Sequence, residues 1–380
     1  MASLPPAAEP GPVVITGMGV TSAFGRGPAA LLDGVLSGTP AFAPVTRFSA
    51  EHCRVKVAAQ LPGTPLLADE ISAALEDACT DAGAGPELRA RTTLLLALHS
   101  DPAAARDAAA DRTVGDTAGL VAARCGFPAA PRVYSAACVA ASTAVADAAA
   151  MIASGQADRV AVAAGFLVDN DSLALFDAGR ALAGDGQVRP FSAGRRGLLL
   201  GDGVAAVLLE SAAAARDRGI RPAAVLAGWG RAGDAYHVVQ PRPDGSGLAR
   251  AITSALRRAQ LDPADVGYVN ANGTGTSFSD AAEAAALHRG LGPAAERVPV
   301  SSTKSVHGHA LEASGLLELI VAVLALREQR LPVNAGYLGP DQDCQLDLVL
   351  GAAREAGLRY ALSLNAAFGG ANTALLVGAA

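Results

Sequence analysis

The chain has 380 residues, 51% of them apolar, and a formal net charge of −6. A chain of this length can bury an extensive core, either as one large domain or as two fused halves. Its 30 lysines and arginines are scattered along the sequence rather than clustered, which argues against a nucleic-acid partner.

The predicted elements, taken in chain order, indicate an α/β fold, because short β-rich runs alternate with alanine-rich helical stretches. The first residues lack a basic segment followed by an apolar one, so no secretory signal and a cytoplasmic location are expected. Residues 12–20, PVVITGMGV, predict a strand whose glycines form a tight strand-to-helix turn. A dinucleotide loop is not supported there, because GxGxxG from Gly17 would require glycine at Ser22.

Two later segments predict how each half of the chain closes. Residues 203–211 and the final stretch from residue 360 are expected to be paired sheet segments, and the change in composition near 216–225 indicates a boundary between halves 1–220 and 221–380. The longest apolar run, residues 316–326, is too short for a bilayer and contains Glu318, so it predicts a buried helix and no membrane segment.

The five cysteines include no CxxC pair and no Cys/His cluster at metal-ligand spacing, so neither disulfides nor a metal site is predicted. Cys138 differs from the others because a strand is expected to end at Tyr134 or Ser135 and a long alanine-rich helix to follow the cysteine. The unpaired N–H groups and the dipole at such a helix start favour a thiolate nucleophile and could hold an oxyanion. Taken alone, a cysteine in this position is more often a packing residue.

Six segments, in order along the whole chain, resemble motifs of the β-ketoacyl synthases of fatty-acid and polyketide assembly, which belong to the thiolase-like superfamily. They are VVITGMGVTSAFG, SAACVAAS, RPFSAGRRGLLLGDGVAAVLLE, NANGTGTSFSD, SSTKSVHGHALEASGLLE and LSLNAAFGGANTALL. The resemblance implies two similar βαβαβ halves stacked as five layers, α-β-α-β-α. It also implies a homodimer or a heterodimer with a related ketosynthase. Acyl groups would arrive on the phosphopantetheine arm of an acyl carrier protein, with no cofactor bound to the chain itself.

The same resemblance implies the site residues. The nucleophile falls on Cys138, and the gating phenylalanine on Phe368, whose N–H should form the oxyanion hole together with that of Cys138. The other matched positions are the histidine of the GH turn, the lysine before it, the glutamate that pairs with this lysine, and two acidic residues after the glycine-rich turn: His309, Lys304, Glu318, Asp280 and Glu283. Asp202 also matches an acidic position, and a structural role is expected for it.

Asn272 stands where the family has its first catalytic histidine. An amide can donate a hydrogen bond but cannot exchange a proton near neutral pH, so acyl loading should survive while malonyl decarboxylation should weaken. His307 could lean into the vacated space as a base, or it could lie on the solvent side or at an interface.

Other departures from the family pattern accompany Asn272. Ala366 and Ala367 replace a phenylalanine and a glycine of the gating loop, and Ser192 and Arg196 replace aspartates. The segment 94–132, which contributes to the dimer interface and the acyl tunnel in the family, is shorter than expected.

Two functions remain open. The first is a ketosynthase-like acyltransferase that loads Cys138 and passes the acyl group to a carbon, oxygen or nitrogen nucleophile in specialised biosynthesis. The second is a non-catalytic partner subunit like the chain-length factor of type II polyketide synthases. Such subunits usually lack the cysteine, so the retained Cys138, Lys304, Glu318 and His309 favour the enzyme.

Overall fold

A computed structural model describes residues 11–99 and 113–380 of the chain. The strands are β1 Val13–Ser22, β2 Gly25–Arg26, β3 Ala43–Pro44, β4 Val57–Ala58, β5 Thr93–Ala97, β6 Arg132–Tyr134, β7 Arg159–Phe166, β8 Gly203–Ser211, β9 Ala224–Gly233, β10 Tyr268–Asn270, β11 Pro299–Ser301, β12 Arg330–Leu331, β13 Asp347–Leu348, β14 Arg354–Glu355, β15 Tyr360–Ala366 and β16 Ala371–Gly378. The helices are α1 Pro28–Ser37, α2 Leu67–Asp81, α3 Pro86–Arg89, α4 Val114–Cys125, α5 Ala140–Ala153, α6 Asn170–Ala178, α7 Ala212–Asp217, α8 Ser246–Ala259, α9 Ser277–Leu291, α10 Lys304–His307 and α11 Ser314–Glu328.

Two sets of five strands share one order. The first set runs β6-β5-β7-β8-β1 and the second runs β11-β10-β15-β16-β9. When the five strands of each set are numbered in chain order, both sets have the same order across the sheet, 3-2-4-5-1. Strand β1, at the end of the first set, pairs through Val13–Ile15 with β9, at the end of the second set. This pairing joins the two sets into one continuous sheet. The chain passes from one set to the other between α7 and β9.

Helices cover the outer faces of the two sets of strands and also lie between the sets. Helices α2 and α4 pack on the outer face of the first set, and α8 and α9 on that of the second. Helices α5 and α11 contact strands of both sets and form the central layer. Helix α11 is buried at every position from Ser314 to Leu326, as its mainly apolar sequence predicts. The arrangement is the five-layer thiolase-like fold.

The glycines of the first strand have a different role from the one expected. Gly17 and Gly19 lie inside β1, where a Cβ would come within 2.0 Å of the carbonyl oxygens of Ala78 and Ala74 in α2. The expectation of a strand-to-helix turn at these glycines is wrong, because they allow the helix backbone to approach the strand closely.

Two expectations concern segments outside the described residues. The expected absence of a secretory signal concerns residues 1–10, which lie outside the described residues. So do residues 100–112 of the segment 94–132, which is expected to be shortened. Within the described ranges, no helix combines the length and the apolar composition needed to cross a membrane.

Candidate active site

Cys138 lies on a sharp elbow at the centre of the molecule. Its 3-10 turn, Ala137–Val139, connects β6 to α5, and Ala137 takes a φ of 48°, a left-handed conformation that alanine rarely adopts. The side chain is 8% exposed and opens to a cavity on either side, one of about 370 Å³ and one of about 720 Å³. The elbow therefore presents a mostly buried thiol to two cavities.

His309 reaches this thiol from the other half of the chain. Its Nε2 lies 3.1 Å from the Cys138 Sγ, and its Nδ1 lies 2.8 Å from the Oγ of Ser314 at the start of α11. The Ser314 hydroxyl also accepts the N–H of Ala310 at 3.0 Å. Because a hydroxyl can donate or accept, Ser314 can hold either tautomer of His309. The sequence pattern did not single out Ser314, since only the turn geometry brings it to the ring.

The resting thiol is neutral. Burial, and after it the charge of Glu312, raise the pKa of Cys138 to about 12, although Lys304 acts in the opposite direction. Burial and the Lys304 charge hold the pKa of His309 well below its ordinary value. Burial therefore opposes the thiolate form that the start of the helix is expected to favour. A thiolate must form during attack on a substrate, with His309 as the nearby proton acceptor.

Asn272 is held by a buried chain of polar groups. The Nζ of Lys304 donates to the Asn272 Oδ1 at 3.3 Å and lies 2.5 Å from the Oε1 of Glu318. The Nδ2 of Asn365 donates to the other oxygen of Glu318 at 2.6 Å. Asn272 lines the smaller cavity together with Cys138 and His309. The structure thus brings Cys138, Asn272, His309 and Lys304 into one site, and Asn365 is a member that the sequence pattern missed.

Two buried carboxyl groups shape the turn that carries Asn272. Glu283 accepts the N–H groups of Asn272 and Gly273, both at 2.7 Å, and Asp280 accepts those of Phe191 at 2.8 Å and Gly275 at 3.1 Å. Burial raises the pKa of Asp280 to about 7 and that of Glu283 to about 8. Neither carboxyl group lines either of the two cavities at Cys138, so both position the backbone of the site.

His307 occupies neither of its two expected places. Its ring is fully buried, with Nδ1 2.8 Å from the carbonyl oxygen of Gly308 and Nε2 3.0 Å from the hydroxyl of Thr303. It lines neither cavity at Cys138. Both the relocated base and the solvent-side or interface position are wrong here, because hydrogen bonds within its own turn engage both ring nitrogens.

Known proteins resemble this chain over its whole fold and over both segments that contribute to this site. The family "Beta-ketoacyl synthase, N-terminal domain" matches residues 91–215, and "Beta-ketoacyl synthase, C-terminal domain" matches residues 223–337. The crystal structure of a β-ketoacyl synthase from Burkholderia phymatum STM815 has a TM-score of 0.86 and 30% identity, over 97% of this chain and 100% of that one. The chain belongs to the β-ketoacyl synthase family.

Other members of the family include components of type II systems. The ishigamide ketosynthase/chain length factor has a TM-score of 0.89 and 28% identity, over 97% of this chain and 99% of that one. A ketosynthase in complex with its type II polyketide synthase acyl carrier protein has a TM-score of 0.91 and 26% identity, over 98% and 100%. The 3-oxoacyl-[acyl-carrier-protein] synthase 2 of Staphylococcus aureus is 38% identical over 209 residues, 54% of this chain. That match covers 52% of the relative, so the chain spans about half the length of the curated relative it matches.

Residues 366–370, which are expected to form the gating loop of this β-ketoacyl synthase family member, contribute to both cavities at Cys138. The ring of Phe368 is 48% exposed and stacks on Phe176 of α6, with 6.1 Å between ring centroids. Both phenylalanines line both cavities, whereas Ala366 and Ala367 line the smaller one. The Phe368 N–H has no hydrogen-bond partner among the described residues, so it is free to donate to a ligand, and Phe368 lines the same two cavities as Cys138.

The remaining departures lie around this site. The Ser192 hydroxyl accepts the N–H of Leu338 at 2.9 Å, a contact that fixes a loop, and Arg196 is exposed at the mouth of the smaller cavity. Asp202 is buried in an ion pair with Arg47 and accepts the N–H groups of Leu61 and Val168, at 2.7 and 2.6 Å.

Proposed function

We propose that this protein is an acyltransferase that takes an acyl group from an acyl carrier protein onto Cys138. The observation that carries the proposal is the 3.1 Å contact between the Cys138 Sγ and the His309 Nε2, at the meeting point of two cavities. One cavity can admit the phosphopantetheine arm and the other can hold the acyl group. The acceptor is a carbon, oxygen or nitrogen nucleophile of fatty-acid or polyketide-type specialised biosynthesis.

In the loading step, the Cys138 Sγ attacks the thioester carbonyl and its proton passes to the His309 Nε2. The free N–H of Phe368, with that of Cys138, holds the oxyanion. When the tetrahedral intermediate collapses, the bond between carbonyl carbon and carrier sulfur breaks, and the departing sulfur takes the proton from His309. The products are the acyl-Cys138 thioester and the carrier thiol.

Asn272 weakens the alternative use of the site for decarboxylative condensation. Its amide supplies one oriented donor where the family places a histidine, but it cannot take up or release a proton. Proton transfer by a positioned side chain contributes roughly a hundredfold or more in rate, and an amide cannot supply it. Acyl loading, which relies on His309 and the oxyanion donors, is the reaction that the remaining groups support.

A chain-length-factor-like partner subunit is the second candidate. Asn272 and the likeness to the ishigamide ketosynthase/chain length factor favour it. The intact Cys138–His309 contact and the Lys304–Glu318 pair favour the enzyme, because a subunit that only shapes a tunnel has no need of an oriented nucleophile.

Intact-mass and peptide mapping after incubation with acyl carrier protein donors tests the proposal. We expect one acyl adduct on Cys138 in the native protein and none in Cys138→Ala. If no donor gives an adduct on Cys138, or if the adduct persists in Cys138→Ala, the acyltransferase is refuted. A gain in the activity of a neighbouring ketosynthase on adding the unacylated protein would then support the partner subunit.

A further inference from the structure

The larger cavity beside Cys138 contains a buried carboxyl group to which no other described residue forms a hydrogen bond or ion pair. Glu312 lies on the 3-10 turn Leu311–Ala313, which packs against the turn that carries Cys138. The residue is 4% exposed and lines this cavity. Within the described ranges, its carboxyl forms no hydrogen bond or ion pair with another residue; its own N–H and the charge of His99 favour the charged form, whereas burial and the charge of Asp169 oppose it. A carboxylate in this state is one for which a bound ligand can supply the missing partner.

The charged groups around Glu312 are mostly acidic. Asp169 and Asp171 also line the cavity, and His99 is the only basic side chain among the described lining residues. Asp169 is already engaged, because it caps α6 by accepting the N–H of Ser172 at 2.7 Å. Glu312 therefore remains as the buried acceptor in a cavity of negative potential. A purely alkyl chain would cover this carboxyl without replacing the water that it loses.

The cavity also has apolar walls that suit methylene groups. Phe166, Leu175 and Leu311 lie beside the polar groups, and the Phe176–Phe368 stack closes the side toward the smaller cavity. An acyl chain bound to Cys138 would meet these walls and the acidic groups within the same cavity.

We propose that the larger cavity selects acyl groups that carry an amine, with the ammonium group paired to Glu312. The ammonium supplies a positive charge and hydrogen-bond donors to Glu312, whose carboxyl forms no hydrogen bond or ion pair with another described residue. The inference rests on the proposed loading of Cys138 and names its substrate class. Glu312 is a specificity-determining residue; its charge also raises the pKa of the Cys138 thiol, an effect that is the same for both members of a matched pair of donors.

Matched thioesters on acyl carrier protein test the pairing. 3-Aminopropanoyl is compared with butyryl, and 6-aminohexanoyl with heptanoyl, since each pair differs by an ammonium in place of a methyl group. Rates of Cys138 acylation are followed by intact mass. We expect at least a tenfold preference for the aminoacyl donor in one of the pairs. The ratio of the aminoacyl rate to the alkanoyl rate should fall to near one in Glu312→Gln and be partly restored in Glu312→Asp. Asp171→Asn, which removes an exposed carboxylate from the same cavity, should keep most of the preference. Equal rates within both pairs, or a preference unchanged by Glu312→Gln, would overturn the proposal.

A second measurement separates this inference from the proposed function. Alkylation of Cys138 by iodoacetamide is measured in the presence of hexylammonium or of hexanol, which requires no acyl transfer. Protection by hexylammonium at tenfold lower concentration than by hexanol, abolished by Glu312→Gln, supports the ammonium site even if no thioester acylates Cys138. Equal protection by the two compounds rejects the site, whereas acylation without preference leaves the acyltransferase standing and rejects the amine.

Discussion

A lysine ammonium group has three hydrogen-bond donors and no acceptor, and this fixes the orientation of Asn272. Lys304 lies 3.3 Å from the amide oxygen, so the amide nitrogen points away from Lys304. Since Asn272 also lines the cavity of Cys138, the residue offers N–H groups to a bound thioester. The replacement of a histidine thus keeps a donor and removes a proton carrier.

The first prediction follows from this orientation. In Asn272→His, Lys304 would donate to the imidazole Nδ1, which leaves the proton on Nε2 toward the thioester. We expect malonyl-carrier decarboxylation to rise at least tenfold, about 1.4 kcal/mol in the transition state, because the imidazole can exchange a proton and the amide cannot. Asn272→Asp, which has the same shape without the N–H donors, should fall below the native rate. Carbon dioxide release measures both. Native decarboxylation as fast as that of Asn272→His would contradict the prediction.

His307 gives a prediction about stability rather than catalysis. A carbonyl oxygen only accepts, so the Nδ1 of His307 carries the proton toward Gly308 and Nε2 accepts from Thr303. Burial lowers the pKa of His307 to about 3. Its unfolded value is near 6.5. A folded pKa below the unfolded value means that this contribution to stability is complete above pH 6.5 and is lost as the pH falls toward 3.

The stability advantage of the native protein over His307→Gln should therefore shrink as the pH falls below 6.5, by up to about 1.4 kcal/mol per pH unit. Urea unfolding at pH 7.5, 6, 5 and 4.5, with both proteins at each pH, measures the difference. A difference that stays constant across this range would show that His307 titrates normally in the folded protein.

The sequence could place the residues of the motifs but not the contacts between motifs. Cys138, Asn272 and His309 are recognisable from their local patterns, and the structure brings them together. Ser314 and Glu312 lie within five residues of His309, yet nothing in the letters shows that one holds its ring and the other lines a cavity. These roles depend on the 3-10 turn in which Leu311 takes a φ of 39°, and on the approach of that turn to the elbow of Cys138.

At the scale of elements, the gating loop between β15 and β16 is fixed from outside. The N–H of Asp234 donates to the carbonyl oxygen of Gly370 at 2.8 Å, and its Oδ1 accepts from the Nδ2 of Asn372 at 2.8 Å. The Gly369 N–H donates to the Val238 carbonyl oxygen at 2.9 Å. These bonds determine where the free N–H of Phe368 lies relative to Cys138.

Substitutions at two neighbouring glycines test whether Asp234 holds the loop in position. Gly369 and Gly370 have φ values of 84° and 75°, so alanine is strained at both. A Cβ at Gly370 would lie 2.8 Å from the Asp234 Cβ, whereas nothing lies within 4 Å of one at Gly369. We expect Gly370→Ala to slow acylation of Cys138 at least tenfold more than Gly369→Ala, with melting temperatures measured for both. Equal rates in the two variants would mean that Asp234 does not position the loop.

The elements themselves were predictable where one periodicity is dominant. The apolar run at 316–326 lies within α11, and residues 203–211 coincide with β8. Gly17 and Gly19 were misinterpreted because the requirement for glycine comes from α2, which is more than fifty residues away in the sequence. Local patterns report the neighbours of a residue along the chain but not the helix that packs against it.

The whole molecule places its chemistry between two halves of equal strand order. Cys138 comes from the first half, and Asn272 and His309 come from the second, with α5 and α11 as the layer between the sheets. A hydrogen bond of 2.7 Å between the hydroxyls of Ser142 and Thr373 joins α5 to β16 across this layer. Relative movement of the halves would therefore change the distance between the nucleophile and its base.

The sheet of the first half ends at β6, and this edge gives the last prediction. The Tyr134 carbonyl oxygen accepts the Leu98 N–H at 3.1 Å, so the backbone of Tyr134 faces β5 and the alternating N–H of Val133 faces outward. Family resemblance implies that the sheet continues across a dimer interface, and an outward N–H is the group that such an interface would use.

We expect light scattering to give twice the chain mass of 37.8 kDa, for the protein alone or mixed with a related synthase. Val133→Pro removes the outward N–H without breaking the ladder to β5, and should shift the mass toward the monomer. Val133→Ala trims the side chain but keeps the N–H, and should remain dimeric. A native protein that is monomeric in both samples would disprove the dimer, and a Val133→Pro protein that dimerises like the native one would move the interface away from β6.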